Sequence, residues 1–401
     1  MTISNFALSS KAFSTPLKKY LLTSFAGALA LTTTQASFAG AKIDISENSF
    51  LTVGAGVRTQ LNFQDDGASD GSTSFDADVP SVRLYFGGQL NDTIKFTVNT
   101  ERVDGNIDIL DAIVQLEFSE LFNVWAGLML TPADRIELNG PYYGLTWNQY
   151  TQPLFASDQD NPNDDIEGQA GTLGRDTGIT VWGSSGKFQY ALGIFDGVEG
   201  GPNTSDNPLF AGRFAYNFLN KEQNPGYYTS STYFGGLGNI FTVGVSFQSQ
   251  EDGVGSALES GDFFGYTVDL LSETVLGSGD VLTIEAEYKE FDSDFDNQTP
   301  TTTSLGGCTF CLFDGDSYFA TAAYLFKSKG DSYGDFQPYI RYVDNNPSET
   351  ASSDLTEIGL NYIIDGHNAR LNINYSTGDA NISGFQGDDT DLLTFGIQFQ
   401  L

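Results

Sequence analysis

Little in this chain could carry out covalent chemistry. The 401 residues include one histidine and two cysteines. His367 follows Asp365-Gly366, a turn signal. A serine–histidine pair would need its base inside a wall or at an active edge, so His367 reads as a turn-flanking residue. Cys308-Thr-Phe-Cys311 lacks the further Cys or His that a zinc or redox centre requires. In an exported chain this pair reads as a small disulfide, with modest stabilisation because the closed loop is short. Asp292-Ser-Asp-Phe-Asp-Asn297 approaches a calcium loop but has no Gly at its sixth position. No phosphate-cradling Gly loop or metal-ligand cluster is present. The expected catalytic residues, metals and cofactors are therefore none.

The charged residues with a usable pattern do electrostatic chemistry. Arg58, Arg83, Lys95, Arg213, Lys289, Arg341 and Arg370 fall on one parity of seven strand-like segments. Glu101, Asp111, Glu117, Asp269, Glu285, Glu287 and Glu357 share that parity. Two readings stand: a charged ring or ladder that discriminates between ions, or mutual pairing that stiffens a wall.

The segments carrying them alternate with period two over about ten residues. Leu51, Val53, Ala55 and Val57 oppose Arg58, Gln60 and Asn62; Leu371, Ile373 and Tyr375 oppose Arg370, Asn372 and Asn374. Sixteen such segments are predicted: 51–63, 80–90, 93–101, 108–118, 122–131, 175–183, 187–196, 209–219, 239–250, 262–272, 280–291, 316–327, 334–344, 353–364, 367–376 and 391–401. An even number suits a closed single-chain barrel. Gly is abundant at 45 residues while Tyr and Phe number 19 and 32, a composition of strands and turns and not of an acidic disordered chain.

Connection lengths alternate as well. With the N-terminus on the periplasmic side, 64–79, 132–174, 292–315 and 377–390 face outward and are long and mostly acidic. Asn91-Asp92, Ser184-Ser185-Gly186 and Asp365-Gly366 are short and periplasmic. A soluble secreted β-protein would alternate along its strands but has no reason to alternate its loop lengths. The stretch 220–238 is the exception. The last residues, Leu393, Phe395, Ile397, Phe399 and Leu401, form one apolar face, suited to closing the barrel against the first strand in lipid.

The N-terminus fits export. Lys11, Lys18 and Lys19 precede an apolar stretch from Leu21 to Leu31 and a small-x-small site at Ala36-Ser37-Phe38-Ala39. Residues 1–39 thus read as a secretory signal peptide and 40–401 as one barrel domain. Residues 1–39 hold three basic and no acidic residues, so 15 basic face 52 acidic residues in the remainder, a formal charge of −37. That excludes nucleic-acid binding through a basic surface.

Several passages resemble the phosphate-selective porin O and P family. Gly174-Arg-Asp-Thr-Gly-Ile-Thr-Val-Trp-Gly183 with Phe188-Gln-Tyr-Ala-Leu-Gly-Ile-Phe-Asp-Gly197 is similar to its central strand pair. Asn224-Pro-Gly-Tyr-Tyr-Thr-Ser-Ser-Thr-Tyr-Phe234 resembles its periplasmic turn, which accounts for the long exception. Gly359-Leu-Asn-Tyr362 with Ala369-Arg-Leu-Asn-Ile-Asn-Tyr375 resembles its penultimate hairpin. The resemblance covers most of the mature chain. It implies an all-β, sixteen-stranded antiparallel transmembrane β-barrel in the Gram-negative outer membrane, trimeric, with an inward-folded third extracellular loop. The implied function is passive diffusion of small hydrophilic solutes and ions, among them anions such as phosphate. The implied partners are those solutes, outer-membrane lipid and lipopolysaccharide.

Segment 132–174 is that third loop. Tyr142, Tyr143, Trp147 and Tyr150 are expected to pack inside; Asp158, Asp160, Asp164, Asp165 and Glu167 would face the Arg wall and set up a transverse field. An outward surface loop is the other reading. The chain departs from a phosphate channel in its negative charge, its near-balanced wall and its lack of clustered Lys, so a general or weakly cation-selective pore stays open. A plugged structural or adhesion barrel is the non-transport alternative.

Overall fold

The computed structural model describes residues 40–103, 106–148, 174–198, 203–256, 259–294, 314–329, 333–348, 351–380 and 386–401. Every strand in it pairs antiparallel within a single sheet. They are β1 (Ala41–Ser46), β2 (Ser49–Gln64), β3 (Ser74–Gln89), β4 (Ile94–Val103), β5 (Asn106–Glu117), β6 (Asn123–Leu130), β7 (Arg175–Ser185), β8 (Phe188–Phe195), β9 (Leu209–Asn217), β10 (Ile240–Ser256), β11 (Glu259–Val275), β12 (Val281–Ser293), β13 (Gly315–Leu325), β14 (Asp335–Pro347), β15 (Ser353–Asp365), β16 (Ala369–Ala380) and β17 (Gln386–Gln400).

From β2 to β17, each strand pairs with the next. The sheet closes where β17 pairs β2 from Leu392↔Gln64 to Gln400↔Gly56. Closure leaves no open edge among these sixteen strands, as a membrane-spanning sheet requires. All sixteen coincide with the segments read from alternation. Several reach further outward than the hydrophobic pattern. β10 and β11 continue past Gln250 to pair Ser256 with Glu259, and the 64–79 connection shortens because β3 begins at Ser74. The β10–β11 extension, Glu251–Ser256 with Glu259–Gly261, is mostly polar, so apolar alternation could not register it; at the start of β3, Phe75, Ala77 and Val79 do alternate with Ser74, Asp76 and Asp78, and the strand reads on into the acidic run.

β1 was not among the sixteen segments. It pairs only β2, from Ala41↔Val53 to Ser46↔Ser49. It therefore lies on the flank of β2 that β17 occupies from Gly56 onward. Its six residues are all exposed. The backbone of Leu401 exchanges two hydrogen bonds with Ala55, at 2.8 and 3.0 Å, which places the chain end at the point where β1 gives way to β17.

The two faces of the wall differ as expected. Outward residues such as Phe395, Ile397 and Phe399 are 40, 57 and 51% exposed, a band no soluble protein would leave bare. Tyrosines flank it. Near the outer end Tyr266 and Tyr288 both donate to Glu290, and Tyr342 donates to Asp344; near the other end Tyr324 donates to Asp280. Amphipathic rings with one wet end suit the two interfaces of a bilayer.

Candidate functional site in the barrel lumen

Two connections fill much of the barrel interior. The first is the described part of the third outer connection, 131–148, with its single helical turn α1 (Gly140–Tyr143). Pro141 stands in the first turn, where its missing N–H costs nothing. Ile136, Leu138 and Leu145 are each at most 1% exposed. Ile136 packs on Phe319 and Val343, and Leu145 on Ala323 and Tyr339. Burying each contributes about 1.5–3 kcal/mol, which accounts for the segment lying against the wall and not in solvent. Two wall glycines make room for its aromatics. A Cβ on Gly56 would lie 2.8 Å from the Tyr142 ring, and one on Gly396 would lie 2.3 Å from the Trp147 ring.

The second is the connection 218–239, the long exception among the short turns. It turns into the lumen and meets the first. The Arg135 guanidinium donates to both oxygens of Glu222, at 2.9 and 2.8 Å, and to the Ser230 carbonyl at 2.8 Å. Thr229 donates through its hydroxyl to the Arg135 carbonyl, and Tyr227 to that of Leu130. The Glu222 carboxylate is held below the ordinary range by Arg135, which outweighs its burial. Behind these contacts Tyr228 meets Trp125 and Tyr227 edge-on, and Trp125 and Tyr227 are tilted against each other, with Ile113, Leu138 and Phe195 in one apolar cluster.

The seven inward basic residues divide into two groups. Four pair with carboxylates. Arg83 pairs with Glu101, Lys95 with Glu117, Arg213 with Asp269, and Lys289 with both Asp134 and Glu287. For these the wall-stiffening reading describes the geometry. The other three grip the inward loop. Arg58 donates to the Trp147 carbonyl at 2.7 Å and lies 4.1 Å from the Trp147 ring centroid. Arg341 donates to the Thr146 hydroxyl at 2.8 Å, and Arg370 to the Gly144 carbonyl at 2.6 Å. Among the described residues, neither Arg341 nor Arg370 forms an ion pair.

The inward acidic residues also find distinct places. Asp111 accepts from Arg175 and from Asn99. Glu357 stands directly opposite Arg341 on the neighbouring strand, Glu285 lies across Thr321 from it, and Glu287 is opposite Phe319; each is at most 4% exposed. Asp158, Asp160, Asp164, Asp165, Glu167 and Tyr150 lie outside the described residues, as do Cys308 and Cys311. Tyr142, Tyr143 and Trp147 do pack inside.

Sequence reasoning missed Arg135, Arg175, Asp134 and Glu222. Arg135, Asp134 and Glu222 lie in connections with no period to assign a face. Arg175 opens a strand rich in Gly and Thr, where the alternation is weak. It also understated His367. The imidazole Nδ1 lies 3.1 Å from the Tyr142 carbonyl and Nε2 lies 2.9 Å from that of Thr232, so the ring bridges the two inward segments. Its placement beside the Asp365-Gly366 turn holds, with Gly366 at φ +49°.

A closed sixteen-stranded barrel with an apolar exterior, a polar interior and an inward loop defines an outer-membrane porin, a channel for small solutes across the Gram-negative outer membrane. Residues 53–401 match the family described as phosphate-selective porin O and P, and the chain belongs to that family. Solved structures share the fold. An anion-selective porin from Comamonas acidovorans aligns at 14% identity and TM-score 0.55, over 88% of this chain and all of its own. OmpF from Salmonella typhi, in complex with daunomycin, aligns at 13% and 0.55, over 90% of this chain and all of its own. The trimer form of in-vitro folded OmpT from Vibrio cholerae aligns at 12% and 0.53, over 88% of this chain and all of its own. No curated protein matches the chain.

Proposed function

We propose that this porin favours small hydrophilic anions, phosphate among them, at a constriction formed where segment 131–148 crosses the lumen. The observation that carries this reading is the seating of Arg58, Arg341 and Arg370 on that segment. Four other inward cations have carboxylate partners, whereas Arg341 and Arg370 bond backbone and hydroxyl oxygens. That places positive potential at Arg370, on the β16 side of the loop, where low dielectric strengthens it, while Glu285, Glu287 and Glu357 lie near Arg341. The family's description points the same way. The remainder of the 132–174 connection, with its five acidic residues, would complete the constriction and oppose the Arg wall.

A weakly cation-selective pore is the second reading. It is favoured by the acidic outer rim, where Asp70, Asp76 and Asp78 are exposed, and by the formal charge of −37 once residues 1–39 are removed. The assembly proposed is a homotrimer in outer-membrane lipid and lipopolysaccharide. Catalysis forms no part of this function. The plugged, non-conducting barrel is the outcome a bilayer recording would expose by the absence of current.

The zero-current potential under a salt gradient tests the proposal, first in chloride and then with phosphate replacing it. An anion-selective sign with phosphate reducing chloride current is expected. A cation-selective sign would discard the anion preference and leave the acidic rim as the selecting element.

A further inference from the structure

The chain's single imidazole stands where three parts of the molecule meet. His367 belongs to the turn between β15 and β16, at the periplasmic end of the barrel. Its ring nitrogens face the Tyr142 carbonyl of α1 and the Thr232 carbonyl of the 218–239 connection. The Tyr143 and Phe234 rings flank it, with centroids 5.0 and 4.8 Å away. The Gln398 amide donates to the His367 backbone carbonyl at 2.6 Å and to the Tyr142 carbonyl at 3.0 Å. The turn, the end of β17 and both inward segments are thereby held at one point.

That seat suits a neutral ring. A proton would add a second N–H donor and a full charge. Each carbonyl the ring faces already accepts from another side chain, Gln398 at Tyr142 and Ser230 at Thr232. Among the described residues, no carboxylate forms an ion pair with the ring. The 131–148 segment brings Tyr142 and Tyr143 to it, the 218–239 connection brings Ser230, Thr232 and Phe234, and β17 brings Gln398 and Gln400, all uncharged. The Glu273 carboxylate behind Thr232 is taken up by the Thr232 hydroxyl and by the Tyr233 and Gly235 N–H groups. On the turn itself, Asp365 accepts from the Asn368 amide, and Arg370 adds positive charge. Burial, with Arg370 adding to it, holds the imidazole down at about 4. The residue is half-buried, so protons reach it from the periplasmic side without unfolding of the barrel.

We propose that His367 is an acid-released latch between the two inward segments: on taking up a proton the ring leaves its seat for periplasmic water, and α1 loosens in the lumen. Linkage fixes the sign. A seat that binds the proton less well than water does must lose the ring as pH falls and regain it on return to neutrality. The rest of the junction stays, with Arg135 on Glu222 and the Ser231 N–H on the Tyr143 carbonyl at 3.2 Å, so release loosens the segment and does not expel it. The effect on the pore rests on the channel reading. Tyr142 packs on Gly56, and its hydroxyl meets that of Ser81, so movement of α1 reshapes the constriction.

Two measurements test the latch. An untagged chain has one histidine, so its imidazole NMR signals in lipid nanodiscs identify themselves. They should titrate near pH 4 and not 6.5, and the ring-current shifts imposed by Tyr143 and Phe234 should vanish with the same midpoint. A charged ring that keeps those shifts has stayed seated and overturns the latch, as does titration near 6.5. In planar bilayers, open-channel current noise should rise with that midpoint in the wild type and not in His367→Gln, whose folding is checked by the heat-dependent gel shift of an intact barrel. Rim carboxylates titrate in both proteins, so the difference between the two is read. An equal rise in His367→Gln, or none in the wild type, overturns the effect on the pore. No current from either protein at pH 7 overturns the channel reading instead, and the NMR result then decides the latch by itself.

Discussion

At the residue scale, the two inward segments are joined by a few buried polar groups whose removal should be measurable. Glu222→Gln takes the carboxylate from Arg135, leaving a buried guanidinium with the Ser230 carbonyl and with Asp269 at 3.4 Å. Breaking a buried pair from one side costs about 3–5 kcal/mol, and the retained Asp269 contact places this case near 3 kcal/mol. Urea unfolding in lipid, read by gel mobility, checks it; a loss under 1 kcal/mol would mean that other contacts hold the junction. His367 adds a pH dependence. Burial pushes its imidazole from 6.5 down to about 4, against the pull of the Thr232 and Tyr142 carbonyls. The unfolded chain thus binds its proton more readily than the folded one. Stability contributed by the neutral ring is present above pH 6.5 and is lost as pH falls toward 4. Allowing for the residue's partial exposure, the loss is about 1–2 kcal/mol. His367→Gln should remove that part of the pH dependence between pH 7 and 5, in a comparison of unfolding midpoints.

At the element scale, the inward loop is seated by shape as much as by charge. Gly56→Ala and Gly396→Ala place a methyl against the Tyr142 and Trp147 rings. Overpacking of this kind costs about 1–3 kcal/mol, and here it acts on the loop and not on the strands. Both variants should keep the barrel's gel shift and change the unit conductance. An unchanged conductance would show that Tyr142 and Trp147 do not shape the pore. β1 is the opposite case. It adds backbone hydrogen bonds to β2 while β17 already closes the barrel through nine paired residues. Deleting residues 41–46 should therefore leave closure and conductance intact, as read by the gel shift and by bilayer recording.

At the scale of the whole molecule, two electrostatic regions compete. The outer rim is acidic and exposed; the constriction holds buried guanidiniums. Salt separates them, because screening falls from about 30 Å in 0.01 M to about 3 Å in 1 M and acts mainly on exposed charge. The zero-current potential, measured at a fixed concentration ratio, should move toward anion selectivity as total salt rises. A potential that does not change with salt would place selection wholly at the buried guanidiniums of the constriction.

The barrel was legible in the chain because lipid outside and a polar lumen inside impose one simple rule, period two, on every spanning strand. That rule placed all sixteen strands, the faces of Arg58, Arg83 and Arg370, and the closing role of the C-terminal residues. Trp147 and Tyr142 could be assigned to the interior from their aromatic character within a long outer connection. What the alternation could not reach was anything held by contacts between distant connections. The Arg135–Glu222 junction spans 87 positions, and neither residue lies in a periodic segment. The Asp134 partner of Lys289 and the bridge made by His367 depend on how two aperiodic segments pack in the lumen. Only the closed tertiary structure brings those segments into one small volume.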